Sequence, residues 1–292
     1  MLVGTGVMLG LSIPIARAAA SAGVSAIAYA FWPTAFAAAL LALFAARRHG
    51  RLRPTLPLCR YAAASGFLGH AAPMTVTFWV SAQAGAGFAA LAFTLTPVTT
   101  VAISLLLRHE RFSRLRLAAV VIGCAGAVVL VLGRGQAMEG ASMAVVLAPL
   151  IPVLIGGGNV YRARHTPVGV AGGWLGSMNL AASCAMLLMV GLATGHIGFT
   201  PTPAALGWLA LQALAMVAGY AMYFELIRRS DAVTFSFVGY VMMLTGVAVG
   251  VGILGERLPP SAMPALALIV TAFLLIRRAA RLTARNTCAT TP

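Results

Sequence analysis

The chain has 292 residues, 61% of them hydrophobic and only 9% charged. Soluble domains carry about 25% charged residues, which excludes a water-soluble globule and leaves the lipid bilayer as the solvent. The net charge of +15 comes from twenty basic residues, all Arg, against five acids; the Arg residues stand in short clusters between apolar stretches, which reads as membrane orientation rather than nucleic-acid binding.

A transmembrane helix needs roughly 20 apolar residues. Ten such stretches are predicted, at 2–21, 25–46, 59–80, 86–107, 115–133, 143–162, 168–190, 204–227, 232–254 and 260–277, and no connection is long enough for a soluble domain. The first lacks a basic leader, so no cleavable signal peptide is expected. Arg17 should lie toward its outer end and snorkel. Between the second and third spans stand Arg47, Arg48, Arg51, Arg53 and Arg60; between the fourth and fifth, Arg108, Arg111, Arg114 and Arg116. Arg162 and Arg164 follow the sixth span, Arg228 and Arg229 the eighth, and Arg277, Arg278, Arg281 and Arg285 the tenth. With both termini cytoplasmic, seventeen Arg fall inside and only Arg134 and Arg257 outside, the asymmetry expected of ten spans. Trp79 and Trp208 fall near outer ends, where an aromatic belt belongs. Of the four cysteines, Cys59, Cys124 and Cys184 lie in or beside apolar segments and read as small core residues, and none has metal-ligand spacing. Gly6/Gly10, Gly169/Gly173, Gly172/Gly176 and Gly246/Gly250 are small-xxx-small pairs suited to close helix packing, within a monomer or across a homodimer.

Two apolar stretches close on related phrases, Arg108-His109-Glu110-Arg111-Phe112 and Leu254-Gly255-Glu256-Arg257-Leu258, 146 residues apart from glutamate to glutamate. The chain therefore divides into repeats at 1–134 and 141–283, each with five spans. Five is odd, so the second copy must be inverted relative to the first. The expected fold is an all-α membrane protein, ten transmembrane helices as two inverted five-helix repeats, a plan of secondary transporters that bind cargo near the midplane. Glu110, Arg111, Glu256 and Arg257 would then sit at opposite surfaces as gating ion pairs or end anchors.

Together, Ala89-Ala90-Leu91-Ala92-Phe93-Thr94-Leu95-Thr96-Pro97-Val98 leading to Glu110-Arg111, and Tyr223-Phe224-Glu225-Leu226-Ile227-Arg228-Arg229 with Ala232-Val233-Thr234-Phe235-Ser236 leading to Glu256-Arg257, resemble the EamA family of the drug/metabolite transporter superfamily. Met243 stands where the first repeat has Pro97, and Phe31-Trp32-Pro33-Thr34 lacks the Arg often found there. The resemblance implies export of small metabolites, often amino acids, or of drugs. It also implies a cavity lined by the first, third, fourth, sixth, eighth and ninth spans.

Depth follows from the Arg anchors at about 1.5 Å per residue. His70 lies ten residues beyond Arg60, ~15 Å into a core of roughly 30 Å. Pro97 falls at nearly the same level, and Tyr220 and Tyr240 come out about 12 Å deep. His70 can bind a carboxylate, relay a proton or bond a neighbouring helix. Pro97 should free a backbone carbonyl near Phe93 and, with Thr94, present polar backbone to a cavity, or else kink passively. Tyr220 and Tyr240 suit cargo stacking or helix packing equally. Asn159 and Asn179 read chiefly as polar glue between helices, with Asn159 also a cavity candidate. Glu225 should pair with Arg228 at the interface. No acid falls at mid-depth, and there is no phosphate loop for ATP. These readings point to a cofactor-free inner-membrane exporter of a small neutral or zwitterionic metabolite such as an amino acid. A drug or organic-cation exporter, an integral-membrane enzyme and an assembly protein are the alternatives.

Overall fold

The computed structural model describes residues 1–84, 92–107, 114–132, 142–229, 238–252 and most of 263–279. Among them every regular element is helical. Four helices are long and apolar enough to cross a membrane: Leu2–Ser21, Ala26–His49, Gly172–Thr194 and Pro203–Arg229. The first is two pieces, α1 (Leu2–Gly10) and α2 (Ser12–Ser21), joined at Leu11. The others are α3 (Ala26–His49), α10 (Gly172–Thr194) and α11 (Pro203–Arg229). Shorter helices fill the remaining order: α4 (Leu56–Gly66), α5 (Ala72–Ala84), α6 (Thr96–Leu106), α7 (Arg114–Leu132), α8 (Ser142–Leu147), α9 (Leu150–His165), α12 (Val238–Gly252) and α13 (Met263–Ala272).

Local chemistry sets the ends. Ser25 caps α3 by accepting the Ala28 N–H at 3.1 Å, while its own hydroxyl donates to the His196 carbonyl at 2.6 Å. Gly169 and Gly195, at φ +81° and +71°, turn the chain between α9 and α10 and after α10. Gly169 is thus a turn glycine with open space around it, not half of a packing pair with Gly173. The third predicted span is not one regular helix: a π-turn at Phe67–Ala71 joins α4 to α5. Nor does Pro97 kink a continuous fourth span. A 3₁₀ turn at Phe93–Leu95, which contains Thr94, precedes it, and Pro97 sits in the first turn of α6, where its missing N–H costs nothing. The Phe93 carbonyl is accordingly not freed, because the Thr96 N–H donates to it.

The helices pack largely across the middle of the sequence. α3 runs along α10 in the most extensive pairing and also touches α11, α1 lies on α11 and α12, and α6 lies on α9. Small residues permit the approach. A Cβ on Gly10 would stand 2.6 Å from the Met242 carbonyl oxygen, and one on Gly66 2.8 Å from that of Asn179. In the described residues Gly6, Gly10, Gly172 and Gly176 all serve contacts within the chain. Cys59 and Cys124 are exposed and Cys184 is half-buried, so none of the three is a core residue as expected. Trp79 and Trp208 are exposed.

Candidate functional site

The π-turn brings His70 into a buried cluster formed by residues from both halves of the sequence. Such turns widen a helix by one residue and recur at functional positions. Thr34, on α3 directly after Pro33, donates its only hydroxyl proton to the Ala30 carbonyl at 2.5 Å. Its oxygen therefore accepts from His70 Nε2 at 3.0 Å. That assigns the imidazole proton to Nε2, leaving Nδ1 to accept the Tyr220 hydroxyl at 2.9 Å. The result is a one-directional chain from Tyr220 through His70 and Thr34 to Ala30, complete with His70 neutral. Thr34 is fully buried, and His70 and Tyr220 are 8% and 6% exposed. The Tyr220 ring stands edge-on to the imidazole at 5.8 Å and stacks on Tyr223 at 5.3 Å.

Beside this chain lies Arg162, which sequence reasoning assigned to the cytoplasmic anchors. It is 0% exposed, the bulkiest fully buried side chain described. Its position in the last turn of α9 explains the misreading: most Arg residues there snorkel outward. Helical side chains slant back toward the N-terminus, and this one follows that slant into the protein. The guanidinium lies against Gly69 and Gly158, and a Cβ on Gly69 would stand 2.3 Å from Nη1. Its Cζ is 5.0 Å from the Tyr223 ring centroid. Nη2 donates to Asn159 Oδ1 at 3.2 Å, whereas Nε and Nη1 have no hydrogen-bond partner. Glu225, the one acid among the described residues, is engaged elsewhere with Arg228 at 3.5 Å and Arg229 at 2.5 Å. The signals in the sequence that point to Arg162 are weak ones in combination: Asn159 one helical turn earlier on the same face, and Gly158 beside it.

Asn159 has a defined role in this arrangement. Thr100 donates to the Thr96 carbonyl at 2.7 Å, so its oxygen accepts Asn159 Nδ2 at 3.4 Å and turns Oδ1 toward Arg162. Thr99 ties the same two helices together by donating to the Pro152 carbonyl at 2.7 Å. Asn179 bridges α10 to α4 through Ser65 at 2.7 Å, but its buried Oδ1 has no partner.

Of the residues expected at one depth, the fold joins His70 directly to Tyr220. It buries Pro97 on α6, the helix that also carries Thr100. Tyr240 lies on α12. Glu110, Arg111, Glu256 and Arg257 lie outside the described residues. A separate cleft of about 540 Å³ opens between α3, α10 and α11, lined by Phe44, Arg48, Gly173, Ala218 and Glu225 among others, and none of the expected site residues lines it. No group of three or more His, Cys, Asp or Glu suited to a metal exists among the described residues.

Residues 1–132 match the sequence profile of the EamA-like transporter family, bearing out the resemblance to that family of the drug/metabolite transporter superfamily over this range. The matched range ends before the second-repeat motifs. No curated protein matches the chain. A solved structure described only as "Crystal structure of protein" superposes with a TM-score of 0.72 over 94% of this chain and 96% of its own, at 19% identity. The likeness at that identity concerns the fold.

Proposed function

We propose that this multi-pass membrane protein, matched over residues 1–132 to the EamA-like transporter family, is a secondary transporter that exports a small neutral or zwitterionic metabolite such as an amino acid. Ten spans in two inverted five-helix repeats, 1–134 and 141–283, work by alternating access in a cell inner membrane, both termini cytoplasmic. Glu110-Arg111 and Glu256-Arg257 serve opposite surfaces as gating ion pairs or end anchors, and the protein works as a monomer or homodimer without a cofactor.

The observation that carries this reading is the composition of the buried polar cluster. Thr34, His70 and Thr100 come from the first half of the chain, and Asn159, Arg162, Tyr220 and Tyr223 from the second. In an inverted-repeat transporter the cargo site lies between the halves, and rocking one half against the other changes which of these groups meet. Arg162 Nε and Nη1 supply donors without an acceptor in this cluster, which suits a cargo carrying an anionic group. A drug or organic-cation exporter fits less well, since a buried guanidinium repels a cationic cargo.

The test is a growth-inhibition screen of overexpressing cells against toxic amino-acid analogues, nucleobases and cationic drugs. Resistance to amino-acid analogues, lost when the protein is absent, is the expected result. Resistance confined to cationic drugs would overturn the substrate class, and resistance to none would overturn export.

A further inference from the structure

We infer that Arg162 is the binding site for a single carboxylate on the cargo. The inference rests on the transporter reading above and names the charged group that this transporter recognises.

An arginine is always charged. Arg162 is completely buried, with one hydrogen bond to a neutral amide and two nitrogens, Nε and Nη1, that donate to nothing. Burying a cation without a full set of hydrogen bonds is strongly unfavourable. The Tyr223 face and the Asn159 amide offset part of that, and Nε and Nη1 are left without acceptors. A structural role alone leaves that cost standing, because Gln or Met at 162 would fill the same space without it. A bound anion removes it.

The surroundings select the kind of anion. Arg162 is the only Arg buried among the described residues, and the hydrogen-bond chain through His70 is complete with a neutral imidazole. One positive charge balances one negative charge, so a monocarboxylate fits and a phosphate dianion would keep an unbalanced charge. A guanidinium's planar fork also matches carboxylate geometry. Asn159, held by Thr100, fixes the guanidinium from one side, and Tyr223 supports its face. Gly69 and Gly158 lie directly against the guanidinium and carry no side chain that could take its hydrogen bonds.

The experiment compares carboxylates with their uncharged counterparts on the purified protein in detergent, by thermal shift. Benzoate and phenylalanine at tens of millimolar should raise the melting temperature of the wild type, and benzamide should not. Arg162→Met should abolish the response, and Arg162→Lys should weaken apparent affinity by about 10-fold or more, since a point charge replaces a bidentate fork. The wild-type comparison needs no variant to fold. Equal stabilisation by benzamide, equal stabilisation by chloride, an unchanged response in Arg162→Met, or no response to any carboxylate would each overturn the inference. Uptake of labelled phenylalanine into proteoliposomes separates the two readings. Transport that Arg162→Met leaves unchanged removes this inference and keeps the transporter. Carboxylate binding that depends on Arg162, with no transport of any compound tested, does the reverse.

Discussion

At the scale of single residues, the hydrogen-bond chain through His70 makes the sharpest statements. Thr34 supplies the oxygen that accepts the Nε2 proton, so Thr34→Val leaves a buried donor without a partner and should cost about 1–3 kcal/mol. Thr34→Ser keeps the hydroxyl and should recover most of it. A lower melting temperature for the valine variant alone is the check, and equal stabilities would mean that His70 finds another acceptor. His70 carries the imidazole of this buried cluster, which makes it the candidate proton carrier there. If transport is proton-linked, an imposed pH gradient should drive accumulation in wild-type proteoliposomes and not in His70→Gln. Accumulation that survives the substitution excludes His70 as the coupling group. Purely downhill flux in the wild type makes the protein a facilitator. Arg162 carries the opposite expectation for stability. Removing an unpaired buried cation should stabilise the resting protein, so Arg162→Met should melt higher than the wild type without cargo, and a fall would show that its contacts with Tyr223 and Asn159 outweigh its desolvation cost.

At the scale of helices, glycine positions decide how closely neighbours lie. Apolar side chains face lipid as comfortably as they face each other, so association depends on close packing and on interhelical polar links. Gly66 is seated on the Asn179 carbonyl and Ser183 of α10. Adding a methyl there pushes backbone against backbone and should cost about 1–3 kcal/mol. Gly157 has nothing within 4 Å of where its Cβ would be, so Gly157→Ala should be neutral or stabilise by up to about 1 kcal/mol through helix propensity. Melting in detergent distinguishes the pair, and identical effects would mean that α4 and α10 are not in contact as described. The π-turn belongs to this scale as well. Nothing in Phe67-Leu68-Gly69-His70-Ala71 announces it, because the extra residue is accommodated only where Gly69 meets Arg162 and Gly66 meets α10.

At the scale of the whole molecule, the proposed topology rests on charge. Sixteen of the seventeen Arg first placed inside remain candidates for anchors once Arg162 is counted as buried, so the bias survives the correction. Reporter fusions at Arg134 and at the C-terminus should report opposite sides of the membrane, and the same side would end the inverted-repeat proposal. The membrane class, the apolar stretches and the family resemblance matched over residues 1–132 were legible from sequence, because hydropathy and short motifs are local properties that need no partner to be read. His70 and Tyr220 were named for the same kind of reason: each is an unusual residue at a depth that Arg spacing estimates. Their direct hydrogen bond, and Thr34 as its third member, were not legible, since they join positions 36 and 150 residues apart in sequence. Arg162 was misread outright. Sequence reports that a cation stands at the end of an apolar helix, and the bilayer interface is where such a cation ordinarily goes. Only the packing of α9 against Gly69, with Tyr223 opposite, decided that this side chain turns inward. A charge's environment is set by what other helices place around it.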